Sequence, residues 1–226
     1  MEENRAVLIA GPGKCGASLL MQIFTELGME TGYGRDHVKK VKKLSKDVGG
    51  NYEWRCRGKQ MKFPLPYIIK EPQMCTDIDL RIEKLKLKVD HIYILTRRPG
   101  PVANALEFLR RESSVDVKRF DRRLSTDSLD SLERGISLRI QTLIHLVAEL
   151  EIPHTLVSFP KWGHDYRYGH RKFRFLLNKY GITRTQWKKA VRDNVDDDLI
   201  AKAYADFPDW NRSYMRSTGL EVCGSV

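Results

Sequence analysis

The stretch AVLIAGPGKCGASLL, residues 6–20, turns from a buried strand into a helix within fifteen residues. Its first five residues form an unbroken apolar run, the pattern of a strand covered on both faces. From Gly16 onward Leu20, Ile23, Phe24 and Leu27 recur at helical spacing, and Gly28 stands just past the end. The connecting loop holds three glycines, one proline and one lysine. Gly11 and Gly16 have the G-x-x-x-x-G spacing of a phosphate-binding loop, and Ser18 falls where that motif has Ser or Thr. Glycines admit phosphate oxygens to the backbone N–H groups, and the helix N-terminus adds the positive end of its dipole. The motif's own lysine is missing, with Ala17 in its place, so Lys14 is the cation inside the loop. The alternative is a tight strand-to-helix turn carrying a surface lysine.

The rest of the chain repeats the alternation. Residues 66–70, 91–96 and 154–159 read as further strands. Helices are expected at 36–47, capped by Asp36, at 77–87 and from Pro99, where Val102, Leu106 and Leu109 align. The longest helix starts at Leu129, with Leu132, Ile136, Ile140, Leu143, Val147 and Leu150 on one face. One or two helices fill 165–206. Residues 49–64 read as a loop, 112–128 as a polar, arginine-rich excursion, and 207–226 as a tail without a clear pattern. Strands separated by helices imply crossover connections. The expected fold is a three-layer α/β domain over residues 1–226, with a mostly parallel sheet of four to five strands and helices on both faces. In such sheets ligands lie beyond the carboxyl ends of the strands. GPGKCGAS, KEP and RRPG all fall there.

With 226 residues and 41% hydrophobic content, the chain has material for one sizeable core. Its net charge of +11 points to an anionic partner. The four cysteines, Cys15, Cys56, Cys75 and Cys223, form no C-x-x-C pair, which suggests free thiols in a reducing compartment. No apolar run reaches the roughly 18 residues of a membrane span, and MEENR makes a poor signal peptide, so a cytoplasmic location is expected.

The loop GPGKCGAS resembles the 5′-phosphosulfate loop of sulfotransferases that use 3′-phosphoadenosine 5′-phosphosulfate (PAPS). Lys14, Gly16 and Ser18 match, with Ala17 in place of the usual threonine. The family's second signature, Arg-x-Pro followed by a helix start, is similar to YILTRRPGPVANAL at Arg97, Pro99, Val102 and Ala103. Pro101 stands where an acid is common, and Ala105 where a serine usually helps bind the 3′-phosphate. Phe159, in HTLVSFPKW, matches an aromatic that ends a strand. The resemblance runs in order and spacing over residues 6–180. It implies a P-loop NTPase-like fold, PAPS as sulfuryl donor, PAP as product, and no required metal.

On that resemblance Gly13, Lys14, Cys15, Gly16, Ala17 and Ser18 would hold the 5′-phosphate, with Lys14 neutralising charge on the leaving oxygen. Arg97 would pair with the 3′-phosphate, near Ala105, and Phe159 would line the nucleotide site. Glu71 is the first candidate for the base that deprotonates a small-molecule or carbohydrate acceptor, and His37 the second. Lys70 stands beside Glu71 as a helper. A helix N-terminus and Lys14 are expected to lower the Cys15 thiol pKa. Two other classes remain open at this level: a Mg-NTP-dependent small-molecule kinase with an altered phosphate loop, and a basic nucleic-acid-binding module. For the second, the aromatic and basic run DYRYGHRKFR, residues 165–174, is the relevant segment.

Overall fold

The computed structural model describes residues 4–34, 36, 38, 65–70, 74–103, 106 and 128–195. Four strands form one parallel sheet: β1 (Asn4–Ala10), β2 (Ile68–Lys70), β3 (Leu87–Thr96) and β4 (His154–Ser158), in the order β2-β1-β3-β4. The helices are α1 (Ala17–Glu26), α2 (Met74–Leu85), α3 (Leu129–Glu149), α4 (Lys161–His164), α5 (Tyr166–Lys172), α6 (Arg174–Lys179) and α7 (Arg184–Asn194). Residues 99–103 are also helical.

The layering follows from strand order and handedness. The step from β1 to β2 goes one way along the sheet, and the step from β2 to β3 returns across β1. Right-handed crossovers in opposite directions place their helices on opposite faces. Accordingly Val7, Ile9, Tyr93 and Leu95 pack with Leu20, Ile23 and Phe24 of α1. Ala6, Leu8, Ile92 and Ile94 pack with Ile78 of α2 and with Leu143 and Val147 of α3. The chain from β3 to β4 continues in the second direction, so α3 shares the face of α2. After β4 the chain returns to the α1 face, where Trp162, Phe173, Leu176 and Trp187 complete the larger core. Phe24, Trp162 and Trp187 all meet the ring of Phe173, at centroid distances of 5.5–6.0 Å.

Among the differences from the sequence reading, two bear on the fold. The helix expected at 77–87 ends at Leu85, because Lys86 takes a left-handed φ of 48° and Leu87 opens β3. Leu87–Val89 pair with Asn4–Ala6, and the register then skips Asp90. The freed Asp90 carboxylate accepts from Arg5 at 2.7 Å and from the Tyr67 hydroxyl at 2.7 Å, tying the amino ends of three strands together. The stretch 165–206, read as one or two helices, contains α5, α6 and α7 within its described part, through residue 195. Side-chain caps open two of these three short helices, and α6 follows Phe173 without one. Asp165 caps α5, and Thr183 with Gln186 forms a reciprocal capping box on α7. The loop 49–64, most of the expected helix 36–47 and excursion 112–128, and the tail 207–226 lie outside the described residues. Among the described residues, no helix is long and apolar enough to cross a membrane.

Candidate anion site at the carboxyl edge of the sheet

β1 and β3 are neighbours whose onward connections leave toward opposite faces. That makes the crevice between their carboxyl ends the topological switch point, where open α/β sheets bind ligands. The loop after β1 and the TRRPG turn after β3 meet there.

The two glycines of the motif spacing are both demanded by packing. Gly11 has φ 148°, and a Cβ on it would lie 2.4 Å from the carbonyl oxygen of Leu95 on β3. Gly16, with φ 81°, is the N-cap of α1, and a Cβ there would lie 2.4 Å from Cδ2 of Phe159. Gly13 is different. Its nearest atom would be Leu106 Cδ2 at 3.9 Å, which leaves the backbone open to approach. Lys14 holds a left-handed φ of 62°. For a residue with a Cβ that costs about 1–2 kcal/mol and persists only where neighbours enforce it. One enforcing contact is the Arg97 guanidinium, whose Nη1 donates to the Lys14 carbonyl at 3.2 Å.

Arg97 therefore turns onto the loop, while Arg98 is exposed. The Arg97 guanidinium also lies 5.6 Å from the centroid of the Phe159 ring. Phe159 extends the β4 ladder by donating its N–H to Thr96 at 2.8 Å. One aromatic ring thus separates Gly16 from Arg97 and sets the spacing of the two loops.

A third cation arrives from β2. Lys70 is paired in register with Ile9, on the face that carries α1, and is 3% exposed. Its ammonium donates to the Ser18 hydroxyl at 2.9 Å, in the first turn of α1. The motif position that lacks a lysine, Ala17, is thus adjacent to a serine served by a lysine from another strand. The sequence signal was the one charged residue closing the apolar run YIIK. It marked Lys70 as a helper beside Glu71 and gave no hint of the contact with Ser18.

Cys15 is buried and its thiol pKa is pushed up to about 11 by loss of water, against the opposing pull of Lys70, of the backbone N–H groups of Ala17 and Cys15, and of Arg97. This corrects the expectation of a lowered pKa. The helix terminus and the cations do act on the thiol, but desolvation outweighs them. Cys15 is an inert packing residue of the loop, and both Lys70 and Arg97 lie close enough for their charge to reach it.

The described part of the site thus joins Gly13, Lys14, Cys15, Gly16, Ala17, Ser18, Lys70, Arg97 and Phe159. Glu71, His37 and Ala105 lie outside the described residues. Cations from three strand ends, a serine hydroxyl and the N-terminal turn of a ten-residue helix suit an anionic group with several oxygens. No protein-family model, curated protein or solved structure matches this chain.

Proposed function

We propose that this chain is a PAPS-dependent sulfotransferase, acting on a hydroxyl or amine acceptor, with a P-loop NTPase-like arrangement of its phosphate loop. The observation that carries the reading is the meeting of the Lys14 loop, Lys70 and Arg97 at the carboxyl ends of β1, β2 and β3, through the contacts of Arg97 with the Lys14 carbonyl and of Lys70 with the Ser18 hydroxyl. A nucleotide with phosphates at both its 5′ and 3′ positions needs two separate cationic holds. We assign the 5′-phosphate to the loop 13–18 and the 3′-phosphate to the Arg97 turn beside it.

Bound PAPS supplies a sulfuryl group activated by its bond to the 5′-phosphate; on transfer that S–O bond breaks and PAP leaves. Lys14 stabilises the negative charge that grows on the departing phosphate oxygen, a kind of contact worth about 2.7–4 kcal/mol in comparable oxyanion sites. Lys70, held by the Ser18 hydroxyl, adds positive charge at the first turn of α1. Arg97 offers its guanidinium fork to the 3′-phosphate. The acceptor's proton passes to a carboxylate, for which Glu71, directly after Lys70 in the chain, is assigned; His37 is the second candidate.

The test is a thermal-shift panel on the full chain with PAP, ADP and Mg-ATP. A ligand that binds only the folded state adds about 2.7 kcal/mol at a hundred times its dissociation constant. PAP is expected to raise the melting temperature clearly and Mg-ATP not at all. The reverse pattern would favour a Mg-NTP-dependent small-molecule kinase in place of the sulfotransferase.

A further inference from the structure

Lys70 reaches Ser18 from a strand with little to hold it. β2 has three residues and lies at one edge of the sheet, paired among the described residues with β1 alone. Its apolar residues do not choose its register. Ile68 packs on the α1 face of the sheet and Ile69 on the α2 face. A slip of one residue would turn each to the opposite face, exchanging isoleucine for isoleucine on both. The same slip would carry Lys70, now opposite Ile9 on the α1 face, away from Ser18. The hydrophobic effect thus leaves open a choice on which the place of the ammonium depends.

Polar contacts at the entrance of the strand make that choice. Tyr67, the residue before β2, is 8% exposed, and its hydroxyl donates to Asp90 Oδ2 at 2.7 Å. Asp90 is the residue that β3 leaves out of its ladder with β1, and Arg5 of β1 donates to Oδ1 of the same carboxylate at 2.7 and 3.0 Å. Such an extra residue re-aims its side chain, here toward the edge strand. The Tyr67 carbonyl accepts the N–H of Val7 at 2.7 Å, and the Ile68 N–H donates to the Glu30 carbonyl at 2.9 Å. Lys179, the last residue of α6, lies 4.3 Å from the Tyr67 ring centroid. Burial, and then the hydrogen bond to Asp90, push the Tyr67 phenol above its ordinary pKa, so it remains a donor. A slip of β2 would move the phenol by about 3.3 Å along the strand and turn it to the other face. Asp90, with its side chain only 9% exposed, would then be left one hydrogen bond short.

We propose that Tyr67, held by Asp90, is a positioning residue: it sets the register of β2 and so delivers the Lys70 ammonium to the phosphate loop. Tyr67 acts through Lys70, three residues and about 10 Å further along the strand, and touches no nucleotide itself. The consequence for nucleotide binding rests on the sulfotransferase reading above.

The test compares two variants of the full chain. Tyr67→Phe removes the hydroxyl and keeps the ring. Thr155→Val, the control, removes a part-buried side-chain hydrogen bond between β3 and β4, the contact with His91 Nε2 at 2.9 Å, on the side of β3 away from β2. Lys70 is followed by NMR of isotope-labelled lysine ammonium groups, its signal identified by its loss in Lys70→Met. Tyr67→Phe is expected to shift or broaden that signal and to weaken PAP by about three- to tenfold. Thr155→Val is expected to change neither, although urea unfolding should find both variants less stable. In a Lys70→Met background Tyr67→Phe should leave PAP affinity within about twofold, because no ammonium remains to be placed. An unmoved Lys70 signal in Tyr67→Phe, or equal losses of PAP affinity with and without Lys70, would overturn the positioning role. If Tyr67→Phe moves the signal while the unaltered protein binds no PAP, the positioning role stands and the sulfotransferase reading falls.

Discussion

Replacing Gly16 by Ala strikes the point where three parts of the site touch. Two costs can be worked from the geometry. Gly16 holds φ 81°, a left-handed conformation that costs a residue with a Cβ about 1–2 kcal/mol. The new methyl would also lie 2.4 Å from Cδ2 and 2.8 Å from Cε2 of Phe159, so the ring must move. Overpacking of this kind costs about 1–3 kcal/mol. Stiffening of the unfolded chain returns about 0.4–1 kcal/mol. The net loss is about 3 kcal/mol, or roughly 6–12 °C in melting temperature for a chain of this size. Urea unfolding measures it. In a Phe159→Ala background the clash is gone and only the backbone cost remains, so the penalty should fall to about 1 kcal/mol. The double-mutant cycle should therefore report a coupling near 2 kcal/mol. Gly13→Ala is the control, because its Cβ would meet only Leu106 at 3.9 Å; it should stay within about 0.5 kcal/mol. If Gly16→Ala costs as much without the Phe159 ring as with it, the ring is not what holds that glycine in place. The reasoning about how the two loops are spaced then fails.

The other predictions concern charge. Arg97→Ala should weaken PAP by about ten- to a hundredfold and leave ADP, which lacks a 3′-phosphate, almost unaffected. Arg98→Ala, at an exposed position, should weaken both slightly; calorimetric titration separates the two, and loss of the preference in Arg98→Ala alone would place the 3′ contact one residue further on. His91 has its pKa lowered by burial and then by the neighbouring charge of His154, so the folded state binds fewer protons than the unfolded state. Its share of stability is complete above the ordinary histidine value of about 6.5 and is lost as pH falls from there toward the depressed folded value. Thermal unfolding from pH 8 to pH 5 should show that loss, with a shallower slope in His91→Gln; equal slopes would remove His91 from the account.

Much of the architecture was legible because it is written in local periodicity. AVLIA, IYILT and the three-and-four spacing from Leu129 to Leu150 announce two buried strands and the long helix without help from the rest of the chain. The reading failed where the signal was short or mixed. LKVD carries a strand's alternation in only four residues next to a helix, so the boundary at Lys86 rested on a backbone angle that no spacing reveals. Among the short helices after β4, α5 and α7 open on capping hydrogen bonds that span two or three residues, while α6 opens without one, so no single local signal marks the breaks.

The sequence by itself determined that a glycine loop with one lysine joins the first strand to the first helix, because strand, turn and helix are each encoded in neighbouring residues. It also placed two arginines after the third strand. Only the tertiary structure decided that Arg97 faces the loop and Arg98 the solvent, that Lys70 reaches Ser18 from 52 residues away, and that Gly16 is small because Phe159 lies against it. It also reversed the expected shift of Cys15, since burial depends on what packs over a residue rather than on its neighbours in the chain. These contacts join residues brought together by the strand order β2-β1-β3-β4. That order is set by crossover handedness and by which faces each helix can bury, so no single segment contains it.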